Sequence, residues 1–231
     1  MDFKTAVETR RSIRRFTPDP IPEQVMREAL SAAVLAPNSS NTQTWDFYWV
    51  RSAAKKSELV KACLNQSAAR TAAELLVVTA NPSKWRRSNP HLIKWVRDVN
   101  APKPVIQYYE KLIPYMYRSG WLNWWGYLRK FGLWLAGWAR PVPRGPNTVR
   151  DMQEVAIKSA ALACENFVLS LTASGFQTCM MEGFDEIRVR KILGLGRGDR
   201  VVMVIAAGVP QVNGTWGAQY RMPLDMVVHE V

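Results

Sequence analysis

A chain of 231 residues with 48% hydrophobic and 22% charged side chains has the makeup of one folded domain with its own core, which excludes a disordered or fibrous polypeptide. Its three cysteines, Cys63, Cys164 and Cys179, are odd in number and far apart, which argues against a disulfide framework or a cysteine-based zinc site and favours a reducing cytoplasm. The net charge of +12 is concentrated: residues 84–150 hold thirteen Lys or Arg against only Asp98 and Glu110, and the rest of the chain is nearly neutral.

In chain order, residues 2–9 and 22–36 read as helices. In the second, Val25, Met26, Ala29, Leu30, Ala33 and Val34 recur at helical spacing behind Pro22. The opening "MDFKTAVETRRSIRRF" has no apolar run of the kind a secretion signal needs. Asp46–Val50 predicts a short strand and residues 55–64 a helix. Glu74–Ala80 is a continuous apolar run, suited to a strand covered on both faces. Residues 81–148 carry eight prolines, which bracket any helices there into short pieces. Residues 149–174 predict a long helix whose small residues Ala156, Ser159, Ala160 and Ala163 suit close helix packing. A turn at "EGFDE", a short helix ending at Leu193, a strand over 201–209 and an extended apolar tail complete the chain. Helices mixed with about four strands indicate an α+β fold, a single domain over residues 1–231 with an insertion at about 85–146.

Four stretches carry candidate chemistry. "RRSIRRF" places Arg10, Arg11, Ser12, Arg14 and Arg15 within six residues, and guanidinium forks with a hydroxyl suit a phosphate. By itself such a run is as readily a solvated basic face. "APNSSNTQTW" offers Pro37, Asn38, Ser39 and Asn41 after a helix, either to a polar ligand or to their own turn. In "CMMEGFDE", Gly183 after Met181 and Glu182 permits close backbone approach. "QYRMPLD" brings Gln219 and Arg221 near the C-terminus. Only two histidines, His91 and His229, are present, and neither a Ser–His–acid arrangement nor a metal-ligand spacing is visible, so no protein side chain is assigned as catalytic and no metal is expected.

In this order and spacing the four stretches resemble the FMN-dependent nitroreductase family: R-R-S-x-R, then A-P-S-x-x-N-x-Q-x-W, then E-G-F-D, then R-x-P. The resemblance covers residues 4–80 and 150–231, everything except the Trp-rich insertion. It implies a central, mostly antiparallel sheet surrounded by helices in an interlocked homodimer, with FMN at the interface. Carried over by motif, Arg10, Arg11, Ser12, Gln219 and Arg221 surround the phosphate, and Arg14 approaches the pyrimidine edge of the ring. Pro37, Asn38, Ser39 and Asn41 come from the other subunit. Asn65 bonds the ring, and Met181, Glu182 and Gly183 reach it near N5. The implied activity is a ping-pong transfer of hydride from NAD(P)H, through FMN, to an apolar or aromatic acceptor such as a nitroaromatic, quinone or enone. The alternative is a flavin-binding sensor or carrier without turnover. Nucleic acid is not an expected partner, because the basic charge would leave the Asn and Glu-Gly motifs without a role. Three positions depart from the family pattern: Gln219 and Ala68 stand where Lys is common, and Asn38 where Ser is usual.

The insertion contains "WLNWWGYLRKFGLWLAGW", Trp121–Trp138, with five of the ten tryptophans. As a helix it is too short, and too charged at Arg129 and Lys130, to span a bilayer. The resemblance implies that residues 85–146 form a lid shaping an apolar channel, and the basic, Trp-rich 118–144 offers a peripheral contact to the inner face of the membrane.

Overall fold

The computed structural model describes residues 1–118, 120 and 123–231. Trp121, the first of the five clustered tryptophans, lies outside them. Four strands, β1 (Trp45–Trp49), β2 (Glu74–Ala80), β3 (Gln177–Met181) and β4 (Arg200–Gly208), form one sheet in the order β1-β2-β4-β3, antiparallel at every junction. The central strands are covered on both faces. Leu76 and Val78 of β2 meet Met26, Ala29 and Ala33 of helix α2 (Glu23–Val34) and Ala160, Cys164 and Phe167 of α9 (Val149–Ala173). Leu75 and Val77 turn the other way, toward Ile13, Phe16 and Leu59, the last on α3 (Ala53–Ala62). Two buried faces, rather than parallel pairing, account for the continuous apolar run of β2.

Of the small side chains expected at the helix–helix contact, Ala156, Ala160 and Ala163 share the core cluster with α2, and Asn166 Nδ2 donates to the Ala32 carbonyl between the two helices at 3.1 Å. α9 begins with a reciprocal cap, Thr148 accepting from the Asp151 amide while Asp151 accepts from the Thr148 amide. Among the described residues α9 alone is long and apolar enough to cross a membrane, but half of that stretch is buried against the sheet and α2, as befits a core helix.

Residues 85–146 rise from the β1–β2 end of the sheet as α5 (Trp85–Asp98), α6 (Lys103–Gln107), a π-helical turn (Tyr108–Leu112), α7 (Ile113–Tyr117) and α8 (Trp124–Ala136). The prolines bracket most of these pieces, with one exception: α5 runs on through Pro90. Burial of Asn89, Leu92 and Val96 along one side of α5 outweighs the missing amide. Asn123, in a left-handed conformation (φ 62°), precedes helix α8, which ends at Ala136, two residues before Trp138.

A charge cluster roots this insertion. Lys84 Nζ lies 2.9 Å from Asp199 Oδ1 and also pairs with Asp46; Asp199 further accepts from Asn81 Nδ2 (3.1 Å) and the Gly196 amide (2.9 Å). Burial alone would raise the Asp199 carboxyl and lower the Lys84 amine. Hydrogen bonds within the cluster win, holding Asp199 below the usual carboxylate range and Lys84 above the usual amine range. Asp199 therefore stabilises the fold at pH above about 3.9 and loses this as pH falls through its depressed value; Lys84 stabilises below about 10.4 and loses it as pH rises through its elevated one. Lys84→Met is expected to cost about 3 kcal/mol at neutral pH, since it strands a buried carboxylate. With the amine gone, burial is opposed only by the Asn81 and Gly196 hydrogen bonds, so the Asp199 carboxyl should rise, and the variant should gain less stability than the parent as pH rises from about 2 to 5. Urea unfolding across that range checks this; matching slopes would refute it.

Candidate functional site

The basic opening motif is built into the edge of the sheet. After helix α1 (Phe3–Thr9), Ser12 bridges Thr178 of β3, and the Ile13 amide donates to the Thr178 carbonyl at 2.9 Å. This pairing alternates the side chains: Ile13 enters the core, and Ser12 and Arg14 turn away from it. The other wall comes from residues 214–221. The Arg14 amide donates to the Gly214 carbonyl at 2.6 Å, and a Cβ on Gly214 would stand 2.9 Å from the Arg15 carbonyl oxygen, so glycine is required for the approach. Arg11 Nη2 donates to the Gly217 carbonyl at 2.6 Å, and the Arg14 guanidinium lies 4.3 Å over the Trp216 ring.

Between these walls is a cavity of about 280 Å³ lined by Arg10, Arg11, Ser12, Arg14, Gln219 and Arg221 with the 215–218 backbone. No carboxylate lines it, and among the described residues none of its four arginines has an acidic partner within 4 Å. Four guanidiniums held together without counter-charge are destabilising unless an anion completes them, so the cradle fits a phosphate.

From this cradle β3 leads to the Glu-Gly turn. Arg14 Nη1 lies 3.5 Å from Cys179 Sγ, and β3 ends at Met181, so Thr178 to Glu182 spans roughly 13 Å. There the turn meets the segment after α3: Gln66 Nε2 donates to the Gly183 carbonyl at 2.6 Å, and the Asp185 amide donates to the Ala62 carbonyl at 2.8 Å. Leu64 and Asn65 both adopt left-handed backbone (φ 58° and 53°), a strained pair beside the turn. The fold thus brings Arg10, Arg11, Ser12, Arg14, Asn65, Met181, Glu182, Gly183, Gln219 and Arg221 along one edge of the sheet. A Cβ on Gly183 would meet only Gln66, at 3.4 Å, so the space before the turn is open.

Pro37, Asn38, Ser39 and Asn41 are elsewhere. They precede β1, the opposite edge of the four-stranded sheet, three strand spacings or roughly 14 Å away. Asn38 is occupied within the loop, Oδ1 accepting from the Gln43 amide at 2.9 Å, and the Ser39 amide donates to Ser159 Oγ on α9. Ser40 Oγ and Tyr108 hydroxyl, 2.5 Å apart, tie the loop to the insertion. Pro37, Ser39 and Asn41 remain exposed.

Sequence reasoning missed Gln66 and residues 215–218; the glycines of "NGTWG" are the only signal for the latter. Ala68 packs in the core at 1% exposure, so it does not stand where a ligand-facing Lys could. The thiols offer no nucleophile. Burial pushes Cys63 up to about 11, and burial with the neighbouring Glu165 charge pushes Cys164 up to about 12. Burial also raises Cys179, against the opposing charge of Arg14. Among the described residues there is no group of three or more potential metal ligands.

A second, larger cavity of about 1170 Å³ lies between residues 85–125 and the body of the fold at 81–83, 149–153 and 197–198. Trp85, Tyr115, Tyr117, Trp124, Trp125 and Met152 give it aromatic and apolar walls, and Arg86, Lys111, Arg118 and Arg197 stand around it.

The Nitroreductase family profile matches residues 7–209. A protein of Thermus thermophilus called NADH dehydrogenase is 30% identical over 99% of this chain and 95% of its own length. Protein DrgA of Synechocystis is 25% identical over 90% and 84%. Among solved structures, a putative nitroreductase from Bacillus subtilis superposes with a TM-score of 0.75 at 22% identity, covering 99% and 98% of the two chains. A putative nitroreductase from Exiguobacterium sibiricum, solved in complex with FMN, gives 0.74 at 19% identity over 100% and 98%. Matched over most of its length by profile, by relatives and by fold, the chain belongs to the Nitroreductase family.

Proposed function

We propose that the protein is a cytoplasmic NAD(P)H-dependent oxidoreductase with FMN as its cofactor, acting on apolar or aromatic oxidised acceptors of the nitroaromatic, quinone or enone type. The observation that carries the reading is the four-arginine cradle, free of carboxylates, leading along β3 to the open Glu182–Gly183 turn. The names of the relatives agree with it: an NADH dehydrogenase at 30% identity, and a structural neighbour that holds FMN.

When bound, FMN supplies a ring that takes up hydride and gives it away again. This chain's residues supply what surrounds it. Arg10, Arg11, Ser12 and Arg221 hold the phosphate, with Gln219 contributing an amide in place of a charge. Arg14, kept in place by the Trp216 ring and the Gly214 carbonyl, puts positive charge toward the pyrimidine edge. Asn65 and the Met181–Gly183 backbone approach the ring, and no side chain has to carry a covalent step. Nicotinamide and acceptor use the same open face in turn, which gives ping-pong kinetics.

A homodimer completes the site. One chain places Arg10–Arg14 and Pro37–Asn41 at opposite sheet edges, so a second copy must bring its exposed loop to the cradle for both to meet one ligand. The insertion at 85–146 serves as a lid, its aromatic cavity selecting the acceptor.

The test is FMN reconstitution followed by anaerobic titration with NADH and with NADPH. Bleaching of the flavin band by either, and parallel double-reciprocal plots with a quinone, are the expected results. Flavin that binds but resists both nicotinamides would favour the sensor or carrier, and failure to bind FMN would overturn the assignment.

A further inference from the structure

Helix α8 turns an aromatic side outward. At 100° per residue, Trp124, Tyr127, Phe131, Trp134 and Leu135 fall with Leu128 on an arc of roughly 120°, and this is the exposed side. The opposite pole holds Gly126 and Arg129, both buried. A Cβ on Gly126 would lie 2.5 Å from the Asn147 carbonyl oxygen, so this side of the helix is pressed against the protein. Trp138, just past the helix end, is 78% exposed and continues the arc. The aromatics pack on one another instead of on a core: Phe131 stacks on Trp134 with ring centroids 6.0 Å apart, and Trp134 meets Trp138 edge-on at 5.3 Å.

Around this face the charge has one sign. Between Lys111 and Arg150 there are seven Lys or Arg and no acid. Lys130 borders the arc, and exposed Arg118, Arg140 and Arg144 flank the helix. The two acids elsewhere in the insertion are already used, Asp98 by Lys94 and Glu110 by Arg97.

We infer that the exposed face of α8 docks on an anionic lipid bilayer, with the helix lying in the headgroup region. A spanning role fails on length: thirteen residues reach roughly 20 Å, short of a hydrocarbon core of about 30 Å. A second copy of this chain is the poorer occupant. It would bring the same unopposed cations to within a Debye length, about 8 Å in physiological salt, whereas anionic headgroups neutralise them. Indoles suit the interface because the ring is buried while the N–H keeps a polar partner. Trp124 belongs to this face and also lines the 1170 Å³ cavity, so the bilayer would stand at the cavity mouth. Delivery of a lipophilic acceptor from the bilayer rests on the oxidoreductase reading; the docking itself does not.

The experiment is sedimentation of the FMN-reconstituted full chain with vesicles of phosphatidylglycerol in phosphatidylcholine, against phosphatidylcholine alone, with tryptophan emission recorded. Binding to the anionic vesicles should be at least about tenfold tighter, shift emission to the blue, and weaken with added salt. Phe131→Ser with Trp134→Ser should lower partitioning about tenfold and leave flavin content unchanged. Lys130→Glu with Arg140→Glu should lower binding to the anionic vesicles only. No binding at low salt, or equal binding to both vesicle types, overturns the proposal. So does a Phe131/Trp134 variant whose mass by light scattering drops while vesicle binding persists, since the face would then join two copies. Vesicle binding by a protein that NAD(P)H does not bleach would sustain the docking and refute the catalytic reading.

Discussion

Replacing Arg221 with Ala is expected to weaken FMN binding by roughly 10- to 100-fold while leaving the apo protein's melting temperature unchanged. A hydrogen bond to a charged group contributes about 1.5–3 kcal/mol, and each 1.4 kcal/mol is tenfold in affinity. Arg221 suits the test because the fold makes little use of it. Its side chain is exposed, and the hydrogen bond it makes, Nη1 donating to the Tyr220 carbonyl at 2.8 Å, is to its own neighbour. Arg11 is a poorer choice, since its guanidinium also holds the Gly217 carbonyl and its loss would deform the wall. The converse change, Gln219→Lys, should tighten binding by adding a cation to the cavity wall. Flavin-fluorescence titration measures both; an unchanged Kd for Arg221→Ala would remove the tail from the cofactor site.

The second large effect lies in the segment around α8. Arg129→Leu should raise amide exchange across residues 115–147 by about a hundredfold or more while β2 and β4 keep their protection. The guanidinium is 8% exposed and spends its fork on the protein: Nε donates to Asn147 Oδ1 (3.0 Å), Nη2 to the Asn147 carbonyl (2.6 Å) and Nη1 to the Tyr115 carbonyl (2.9 Å). Its carbon lies 5.4 Å over the Tyr115 ring. Burial pulls its pKa down, with Tyr115 and Asp151 opposing, and it remains charged. Leucine would strand two backbone carbonyls at about 1–3 kcal/mol each. The loss is local because Arg129 joins α8 to α7 and to the segment before α9, not to the sheet. Arg129→Lys should recover little, since one ammonium cannot reproduce the planar fork. Exchange rates unchanged in Arg129→Leu would show that α8 is held by its apolar contacts alone.

The sheet and the core helices were legible because their signals are local and repetitive. Helical spacing in α2, the small residues of α9 and the apolar run of β2 each reflect one buried face, and the structure places all three where those faces meet. The cradle was legible as residue types but not as a place. Nothing between Arg14 and Arg221 in the sequence says that a parallel bridge from Ser12 to Thr178 brings the two ends of the chain together. The split between the Arg motif and the Asn38 loop likewise depends on strand order, which residue patterns do not encode. In the tryptophan-rich stretch, composition marked an aromatic, basic segment but not which side of α8 faces outward. Arg129 stood in the sequence only as a charge against a bilayer span; its burial depends on Asn147 and Tyr115, separated from it by 18 and 14 residues. Helix α5 passed over Pro90 because tertiary burial outweighed a local rule.

The last thirteen residues, 219–231, have consequences beyond this chain. Apart from one short turn at Leu224–Met226 they form no regular structure, and Leu224, Met226 and Val227 are 58–75% exposed. An apolar tail with no core of its own gains its order from another surface, and Gln219 and Arg221 sit at its root. In the proposed homodimer this links two equilibria by mass action. Dilution that separates the subunits loosens the tail and the phosphate site together, so apparent FMN affinity should fall with protein concentration, and FMN should in turn hold the dimer together.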